Sequence, residues 1–162
     1  MKLFKTLLTI LFISLLSSPS WSVTLGDLVE RDGLYYEKFT DIPFTGEVTG
    51  AEQGSFKSGK KEGAWVEYHK NGQLFSKGNY KIGKRDGAWV AYHRNGKLLR
   101  KSNYKDGKAE GVYVSYHDNG QLYDKGHLKN GKKEGAWASY YEDGTVFKLL
   151  TETFKDGKKI SD

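Results

Sequence analysis

Three histidines recur at one position of a repeating sequence, where they invite interpretation as metal ligands. His69, His93 and His117 each stand two residues before an Asn-Gly pair. Two nitrogens that share one Zn²⁺ at about 2.0–2.1 Å lie only about 3–4 Å apart. If each repeat contributes two strands, equivalent residues lie about 9.6 Å apart, so one ion cannot bridge them. We therefore predict no metal site and interpret the histidines as packing and hydrogen-bonding residues.

Residue sets for other chemistry are also missing from the sequence. The chain has no cysteine, and no Gly-x-Ser-x-Gly motif is present to mark a nucleophilic serine. Its glycine-rich segments are not followed by a helical pattern, as a phosphate-binding loop requires. We therefore predict no catalytic residues, no cofactor and no enzymatic activity.

The sequence is organised by a 24-residue repeat, which sets its fold class. A partial unit occupies residues 54–63, and full units occupy residues 64–87, 88–111, 112–135 and 136–159. Twenty glycines, two prolines and 14% aromatic residues favour turn-rich β structure over helix. We predict an all-β fold, an elongated single antiparallel sheet of stacked 24-residue β-hairpin repeats.

Each unit contains an Asn-Gly or Asp-Gly pair, which is typical of a two-residue type I′ hairpin turn. The pairs are Asn71-Gly72, Asn95-Gly96, Asn119-Gly120 and Asp143-Gly144. In the first unit this turn predicts the opposed pairs Lys70 with Gln73, His69 with Leu74, Tyr68 with Phe75, Trp65 with Gly78 and Gly63 with Tyr80. Because opposed residues share a face, one face is predicted to carry Trp65, His69, Leu74 and Tyr80, and the other Val66, Tyr68 and Phe75.

A row of large rings is predicted to form an aromatic face along the sheet. Its members are Trp65, Trp89, Tyr113 and Trp137. The small residues Gly78, Ser102 and Gly126 stand opposite the rings and leave them space to lie flat. The row is a candidate binding surface, but core packing is the favoured interpretation, since a buried ring contributes roughly 4–6 kcal/mol at most.

The segments that join one hairpin to the next concentrate the positive charge of a chain whose net charge is +6. Their glycines at 83, 107, 131 and 157 are predicted to reverse the chain with left-handed dihedrals. The candidate binding residues of this basic border are Lys60, Lys61, Lys84, Arg85, Lys108, Lys132 and Lys133. Lysines at turns and edges also keep sheets from associating, so solubility is the alternative interpretation.

The N-terminal residues are interpreted as a signal for export. Residues 1–22 combine Lys2 and Lys5 with an apolar run from Leu7 to Leu16 and a Ser20-x-Ser22 site, a pattern typical of a cleaved signal peptide. We therefore expect a periplasmic or secreted protein that begins after Ser22. Residues 23–50 are predicted to form a leader that adds one or two strands and caps the repeats of residues 51–162.

The stretch GAWVEYHKNGQLFSKGNYKIGKRDGAW resembles the variant form of the MORN (membrane occupation and recognition nexus) repeat of bacterial proteins. Residues 31–48 resemble the leader that often precedes such repeats. The resemblance implies an elongated sheet of hairpins used mainly for interaction. Some relatives are labelled antitoxins, which makes an inhibitor of a partner protein one alternative, although an export signal does not suit a cytoplasmic toxin.

Two further hypotheses about function follow from these residues. The first is an exported protein-interaction or envelope-scaffolding module, whose partner is an unidentified protein or an anionic envelope component. The second is a peripheral binder of anionic lipid or glycan surfaces through the lysine-rich turns. Export and mild basicity argue against a nucleic-acid partner, and the sequence leaves the oligomeric state open.

Overall fold

A computed structural model describes residues 22–147 and 152–161 of the chain. The predicted signal peptide lies outside the described residues except for Ser22. A short 3₁₀ turn spans Leu25–Asp27, and the described residues contain no α-helix. The strands are β1 (Leu28–Arg31), β2 (Leu34–Glu37), β3 (Gly46–Val48), β4 (Glu52–Lys57), β5 (Lys60–Tyr68), β6 (Leu74–Lys81), β7 (Lys84–Tyr92), β8 (Leu98–Lys105), β9 (Lys108–Ala109), β10 (Gly111–Tyr116), β11 (Leu122–Lys129), β12 (Lys132–Ser139), β13 (Glu152–Lys155) and β14 (Lys158–Ser161).

Strands β3 to β14 form one open antiparallel sheet whose spatial order follows the order of the chain. Each inner strand pairs with a neighbour on either side, and β9 and β10 both pair with β8, before and after Glu110, whose amide donates to the Asn103 carbonyl at 2.8 Å. Strands β1 and β2 pair separately as a two-stranded sheet. The prediction of an all-β fold of stacked hairpins is confirmed.

The turns at the Asn-Gly pairs, which we call the hairpin tips, differ from the predicted type. Gly72 has a φ of +81°, but Asn71 is not left-handed as a type I′ turn requires. The Gly72 amide donates to the His69 carbonyl at 2.8 Å, and the His69 amide donates to the Gln73 carbonyl at 2.8 Å. This is a three-residue loop, a type I turn followed by a left-handed glycine, so the predicted two-residue type I′ turn is wrong.

The longer loop shifts the strand pairing near the tip, and a bulge then restores it. Tyr68 opposes Leu74 and not Phe75, whereas Glu67 opposes Ser76. The extra residue opposite the Glu67–Tyr68 step is therefore Phe75. Beyond this bulge Trp65 opposes Gly78 and Gly63 opposes Tyr80, as the sequence predicted, but the predicted pairs Lys70–Gln73, His69–Leu74 and Tyr68–Phe75 are wrong.

Type I′ geometry occurs instead in the segments that join the hairpins. Ile82 and Gly83 have φ values of +52° and +76°, so both central residues are left-handed. The predicted left-handed glycines at 83, 107, 131 and 157 are confirmed. The five connecting turns are Ser58-Gly59, Ile82-Gly83, Asp106-Gly107, Asn130-Gly131 and Asp156-Gly157. Consecutive connecting turns are joined by backbone hydrogen bonds, such as the one from the Gly83 amide to the Lys61 carbonyl at 2.9 Å.

The most buried part of the molecule lies where the leader meets the first hairpins. Leu28, Phe44 and Val48 of the leader pack with Phe56 and Trp65 of the sheet. Strand β3 pairs with β4, and the backbone of the leader also bonds the first connecting turn. Residues 23–50 therefore contribute three strands at this end of the sheet, and not the one or two predicted.

Candidate binding surfaces

Each indole of the aromatic face lies flat on a glycine of the strand that precedes its own hairpin. Trp65 covers Gly54 and Trp89 covers Gly78, and a Cβ added at either glycine would overlap the indole. Trp137 covers Gly126 in the same way. The sequence assigned Gly78 to Trp65, its opposed residue. A small residue beneath each indole is thus observed, but the ring above Gly78 belongs to the next hairpin.

The indole N–H groups fix the orientation of these rings. Trp65 Nε1 donates to the Ser55 carbonyl at 3.2 Å, and Trp89 Nε1 donates to the Asn79 carbonyl at 3.1 Å. The equivalent bond of Trp137 runs to the His127 carbonyl at 3.0 Å. All three indoles are buried. The aromatic face therefore packs as the sequence analysis favoured, with each ring held at a fixed angle across two strands.

A cation four residues before each indole lies over the ring. Lys61 Nζ is 4.0 Å from the Trp65 centroid, the Arg85 guanidinium is 4.2 Å from that of Trp89, and Lys133 Nζ is 4.2 Å from that of Trp137. Contacts of this kind contribute about 0.5–2 kcal/mol each. Three residues predicted for the basic border are therefore half-buried covers of the aromatic face.

The rings form a ladder of edge-to-face contacts that stops in the middle of the sheet. It runs from Tyr35 through Phe56, Trp65, Tyr80 and Trp89 to Tyr104, with centroids 4.9–6.3 Å apart. The next contact pairs Tyr113 with Trp137 at 5.5 Å. No ring contact joins Tyr104 to Tyr113 among the described residues, so the ladder has two sections.

The ring site of Tyr113 differs from the other three in each of its components. Tyr113 replaces the indole, Ser102 stands where the others have a glycine, and Ala109 stands where they have a cation. The Ser102 hydroxyl is buried and has no hydrogen-bond partner within the described residues. A hydroxyl in that state costs roughly 1–3 kcal/mol, which makes this site the weakest link of the aromatic face.

Two of the three cations over indoles have a carboxylate partner, and the middle one, Arg85, has none within 4.0 Å among the described residues. Lys61 Nζ is 3.0 Å from Glu52 Oε2, and Lys133 Nζ is 3.9 Å from Asp124 Oδ2. Each carboxylate lies nine residues before its cation. The residue nine positions before Arg85 is Ser76.

Arg85 lies between two tyrosine hydroxyls. Its Nη1 donates to the Tyr104 hydroxyl at 3.5 Å. Burial alone would lower the pKa of Arg85, but hydrogen bonds to Tyr80 and Tyr104 outweigh it, and its pKa lies above the ordinary value. Burial would raise the pKa of Tyr104, but the hydrogen bond from Arg85, the nearby hydroxyl of Ser102 and the charges of Arg100 and Arg85 place it below the ordinary value.

The connecting turns carry a border of lysines that is wider than predicted. Each turn is flanked by two opposed lysines, and all ten are exposed. We call this set the lysine border: Lys57, Lys60, Lys81, Lys84, Lys105, Lys108, Lys129, Lys132, Lys155 and Lys158. Of these ten, only Lys60, Lys84, Lys108 and Lys132 were predicted. The type of the connecting turn, which shows that a lysine flanks it on each side, was not predicted from the sequence.

Carboxylates of the connecting segments hold the turns in place. Glu62 Oε2 accepts the Ile82 amide at 2.7 Å, Glu110 Oε2 accepts the Asn130 amide at 2.8 Å, and Glu134 Oε2 accepts the Asp156 amide at 2.9 Å. Each bond reaches from one connecting turn to the next. These carboxylates therefore hold neighbouring connecting turns together by accepting backbone amides.

The histidines link one hairpin tip to the next. His69 Nε2 donates to the Tyr92 carbonyl at 3.0 Å, and His93 and His117 make equivalent bonds to Tyr116 and Tyr140 at 2.9 and 2.8 Å. Because the acceptor is a carbonyl oxygen, the proton resides on Nε2. This agrees with the predicted hydrogen-bonding role. The described residues contain no group of His, Asp or Glu side chains placed to hold a metal ion.

Exposed rings accompany the histidines at the tips. The His69 ring is 4.9 Å from that of Phe75, and the His117 ring is 4.8 Å from that of Tyr123. Phe75 and Tyr123 are 37% and 50% exposed. The sequence placed His69 and Phe75 on opposite faces, which is wrong because the bulge at Phe75 returns its ring toward the tip.

Comparison with known proteins supports an interaction role for this array. A family model for the MORN repeat variant matches residues 61–81, 85–106 and 109–130. A search of curated proteins finds no match. No helix within the described ranges has the length and apolar character needed to cross a bilayer. Repeats of this type indicate a protein-interaction or binding module. Three consecutive stretches within residues 61–130 therefore match the MORN repeat variant.

Proposed function

We propose that this chain is an exported, non-catalytic binding module that docks a protein or another component of the cell envelope. The observation that carries the proposal is the repetition of equivalent exposed groups along one open sheet. The connecting turns all present a pair of lysines, and the first and third tips each present a ring beside a histidine. Equivalent groups recur at about 9.6 Å, the width of two strands.

A regular array of this kind suits a partner that is itself extended or repetitive. Each additional contact is then made within the same complex, so that individually weak contacts combine into a strong one. Interfaces depend on a few well-packed aromatic and arginine residues, and both types occur on this sheet. An elongated protein segment or a repeating envelope polymer therefore fits the geometry.

A cleft between the third and fourth tips supports binding. It has a volume of about 880 Å³, and His117, Tyr123, Tyr141 and Phe147 are among the residues that line it. Aromatic walls of this kind favour a ligand held by packing. The lining also includes Glu142 and Asp143, and Asp143 Oδ1 accepts hydrogen bonds from the Thr145 amide and hydroxyl at 2.8 and 2.6 Å.

Crosslinking in intact cells followed by recovery from the envelope fraction tests the interaction. We expect one partner to be recovered repeatedly, and less of it with Phe75→Ala and Tyr123→Ala, which remove exposed rings. Lys70→Ala and Asp118→Ala are matched controls at the same exposed tips. Failure to recover a reproducible partner under several growth conditions would contradict the proposed function.

Export has its own test. Fractionation should place the protein outside the cytoplasm, and the intact mass of the recovered protein should correspond to a chain that begins at Val23. A cytoplasmic protein that retains residues 1–22 would contradict the export component.

The lysine border favours a second function, binding to an anionic lipid or glycan surface. Electrostatic binding weakens as salt screens the charges. We expect Lys60→Gln, Lys84→Gln and Lys132→Gln together to reduce binding to vesicles containing an anionic lipid. The control combines Lys77→Gln, Lys101→Gln and Lys125→Gln, which remove equal charge from exposed mid-strand positions. Equal losses, or binding that does not respond to salt, would exclude the lysine border as the site.

A further inference from the structure

The middle of the aromatic face carries positive charge that forms no ion pair with any carboxylate in the part of the chain that the structure describes. At the Trp65 and Trp137 ring sites, Lys61 and Lys133 are paired with Glu52 and Asp124. The position of those two carboxylates is occupied by Ser76 in the next hairpin and by Arg100 in the one after it. Of the four equivalent positions, the first and last therefore carry carboxylates, and the two between them carry a neutral residue, Ser76, and a cation, Arg100.

Arg85 and Arg100 are both half-buried and face the same small cleft. They line it together with Ser76, Trp89 and Ser102. Neither arginine lies within 4.0 Å of a carboxylate of the described residues. A guanidinium that is partly removed from water without an ion-pair partner is costly. The carboxylate that borders this cleft, Glu67, accepts from the Ser76 hydroxyl at 2.9 Å and forms no ion pair with either arginine.

A polar group in the same cleft also lacks a partner. Ser102 is 7% exposed, and its hydroxyl makes no well-aligned hydrogen bond to any described group. The hydroxyl lies near Tyr104, whose own hydroxyl accepts from Arg85 at 3.5 Å. Two guanidinium groups and a free hydroxyl therefore border one cleft, and each can donate hydrogen bonds to a ligand.

We propose that Arg85, Arg100 and Ser102 bind an oxyanion, a carboxylate or phosphate group of the partner that docks on this sheet. The planar guanidinium presents paired N–H groups that match the two oxygens of either anion. Trp89 supports Arg85 from below at 4.2 Å, so the fork is held in place before the anion arrives. This inference names the recognised chemistry of the binding module proposed above, on which it rests.

The test titrates purified protein with sodium acetate and, separately, with inorganic phosphate, at an ionic strength held constant with chloride. Arginine side-chain Nε–H resonances are followed by NMR. We expect saturable shifts for Arg85 and Arg100, with Arg94 unmoved because it lies exposed at a hairpin tip. A tighter response to phosphate assigns a phosphate group of the partner, and a tighter response to acetate assigns a carboxylate.

Three variants locate the site. Arg85→Gln and Arg100→Gln should each weaken anion binding roughly tenfold or more, the effect expected for loss of a charged hydrogen-bonding group. Arg94→Gln removes the same charge from an exposed tip and should leave the affinity unchanged. Ser76→Asp places a carboxylate where Asp124 stands two hairpins later, and the resulting ion pair with Arg85 should abolish binding.

The proposal is overturned if chloride shifts the arginine signals as much as either oxyanion does. It is also overturned if Arg94→Gln weakens binding as much as Arg100→Gln in proteins with unchanged circular dichroism spectra. These measurements need no partner protein. Their failure would remove the oxyanion site while leaving envelope docking through other surfaces intact, whereas failure of the crosslinking experiment would remove the docking function itself.

Discussion

The ring site of Tyr113 and the ring site of Trp89 occupy equivalent places in one sheet, yet they are built differently. Trp89 is buried, lies flat on Gly78, donates its N–H to a carbonyl and is covered by Arg85. Tyr113 is half-buried and has a serine and an alanine at the corresponding positions. The backbone repeat therefore tolerates a ring site that has lost its indole, its glycine and its cation.

This difference shows that the repeat depends on two separable sets of interactions, the backbone hydrogen bonds of the hairpins and the contacts between aromatic rings. The hairpins, tips and connecting turns continue through Tyr113 with the same hydrogen bonds, whereas the aromatic ladder does not. An indole needs a glycine beneath it, and a smaller ring does not. The aromatic layer provides burial, while the turns provide register.

Removing the rings is expected to give the largest difference. Trp89→Ala should destabilise the protein by about 3–5 kcal/mol, since it removes a buried ring and its hydrogen bond. Tyr113→Ala should cost clearly less because its ring is half-buried. Urea unfolding of both variants measures the difference, and equal losses would mean that the two ring sites are energetically alike.

Filling the space under a ring gives the next largest effect. Gly78→Ala should cost about 1–3 kcal/mol, because its Cβ overlaps the Trp89 indole. Ser102→Ala removes an unpartnered hydroxyl and should be neutral or stabilising. Thermal unfolding compares them, and a stable Gly78→Ala protein would show that the indole can move aside.

Rebuilding the missing indole site sharpens the comparison further. Tyr113→Trp alone should destabilise the protein because Ser102 occupies the space that an indole needs. Adding Ser102→Gly should reverse the loss, with a coupling of about 0.5–3 kcal/mol between the two changes. A double-mutant cycle in urea measures this coupling, and strict additivity would refute the packing explanation.

The tips should not distinguish the units. Gly72→Val and Gly120→Val each force a β-branched residue to positive φ, with strain of about 1–2 kcal/mol. The loss should be the same in the first and third units, and Lys70→Gln should change stability little because Lys70 is exposed. A loss confined to one unit would show that the tips are not equivalent.

The smallest expected effect is a gain in stability. Ile82 is a β-branched residue at a φ of +52°, whereas Asn130 occupies the equivalent position two units later. Asparagine tolerates left-handed dihedrals better than isoleucine does. Ile82→Asn should therefore raise the free energy of unfolding by about 1 kcal/mol, and a thermal midpoint that falls would contradict this.

Much of the fold follows from sequence because one pattern is repeated. The period predicts the hairpins, the order of strands and the pairing of Trp65 with Gly78. The geometry of the tips was not predictable in the same way. The extra residue in the loop shifts the strand pairing by one residue, and the bulge at Phe75 shifts it back. Spacing alone cannot reveal two irregularities that offset each other. Turn propensity does not predict the positive φ of Ile82. The hydrogen bonds of the two flanking hairpins impose this φ, which isoleucine disfavours.

The surfaces were predicted less completely than the fold. Lys61, Arg85 and Lys133 were predicted to belong to the basic border because each directly follows a border lysine. Without the register of the strands, two adjacent residues cannot be assigned to different surfaces. Arg100 was not predicted because its residue type does not repeat. Its signal is that difference, an arginine at a position where the neighbouring units carry Ser76 and Asp124.

The gap in the aromatic ladder between Tyr104 and Tyr113 has a consequence for how the molecule unfolds. Stability in a repeat array is transmitted between nearest neighbours, so one poor interface limits cooperativity. Here the backbone bonds continue, since the Glu110 amide donates to the Asn103 carbonyl at 2.8 Å, and the ring packing is what is interrupted. Amide exchange should then reveal two foldons, a leader-protected block that opens at high free energy and a distal block that opens first.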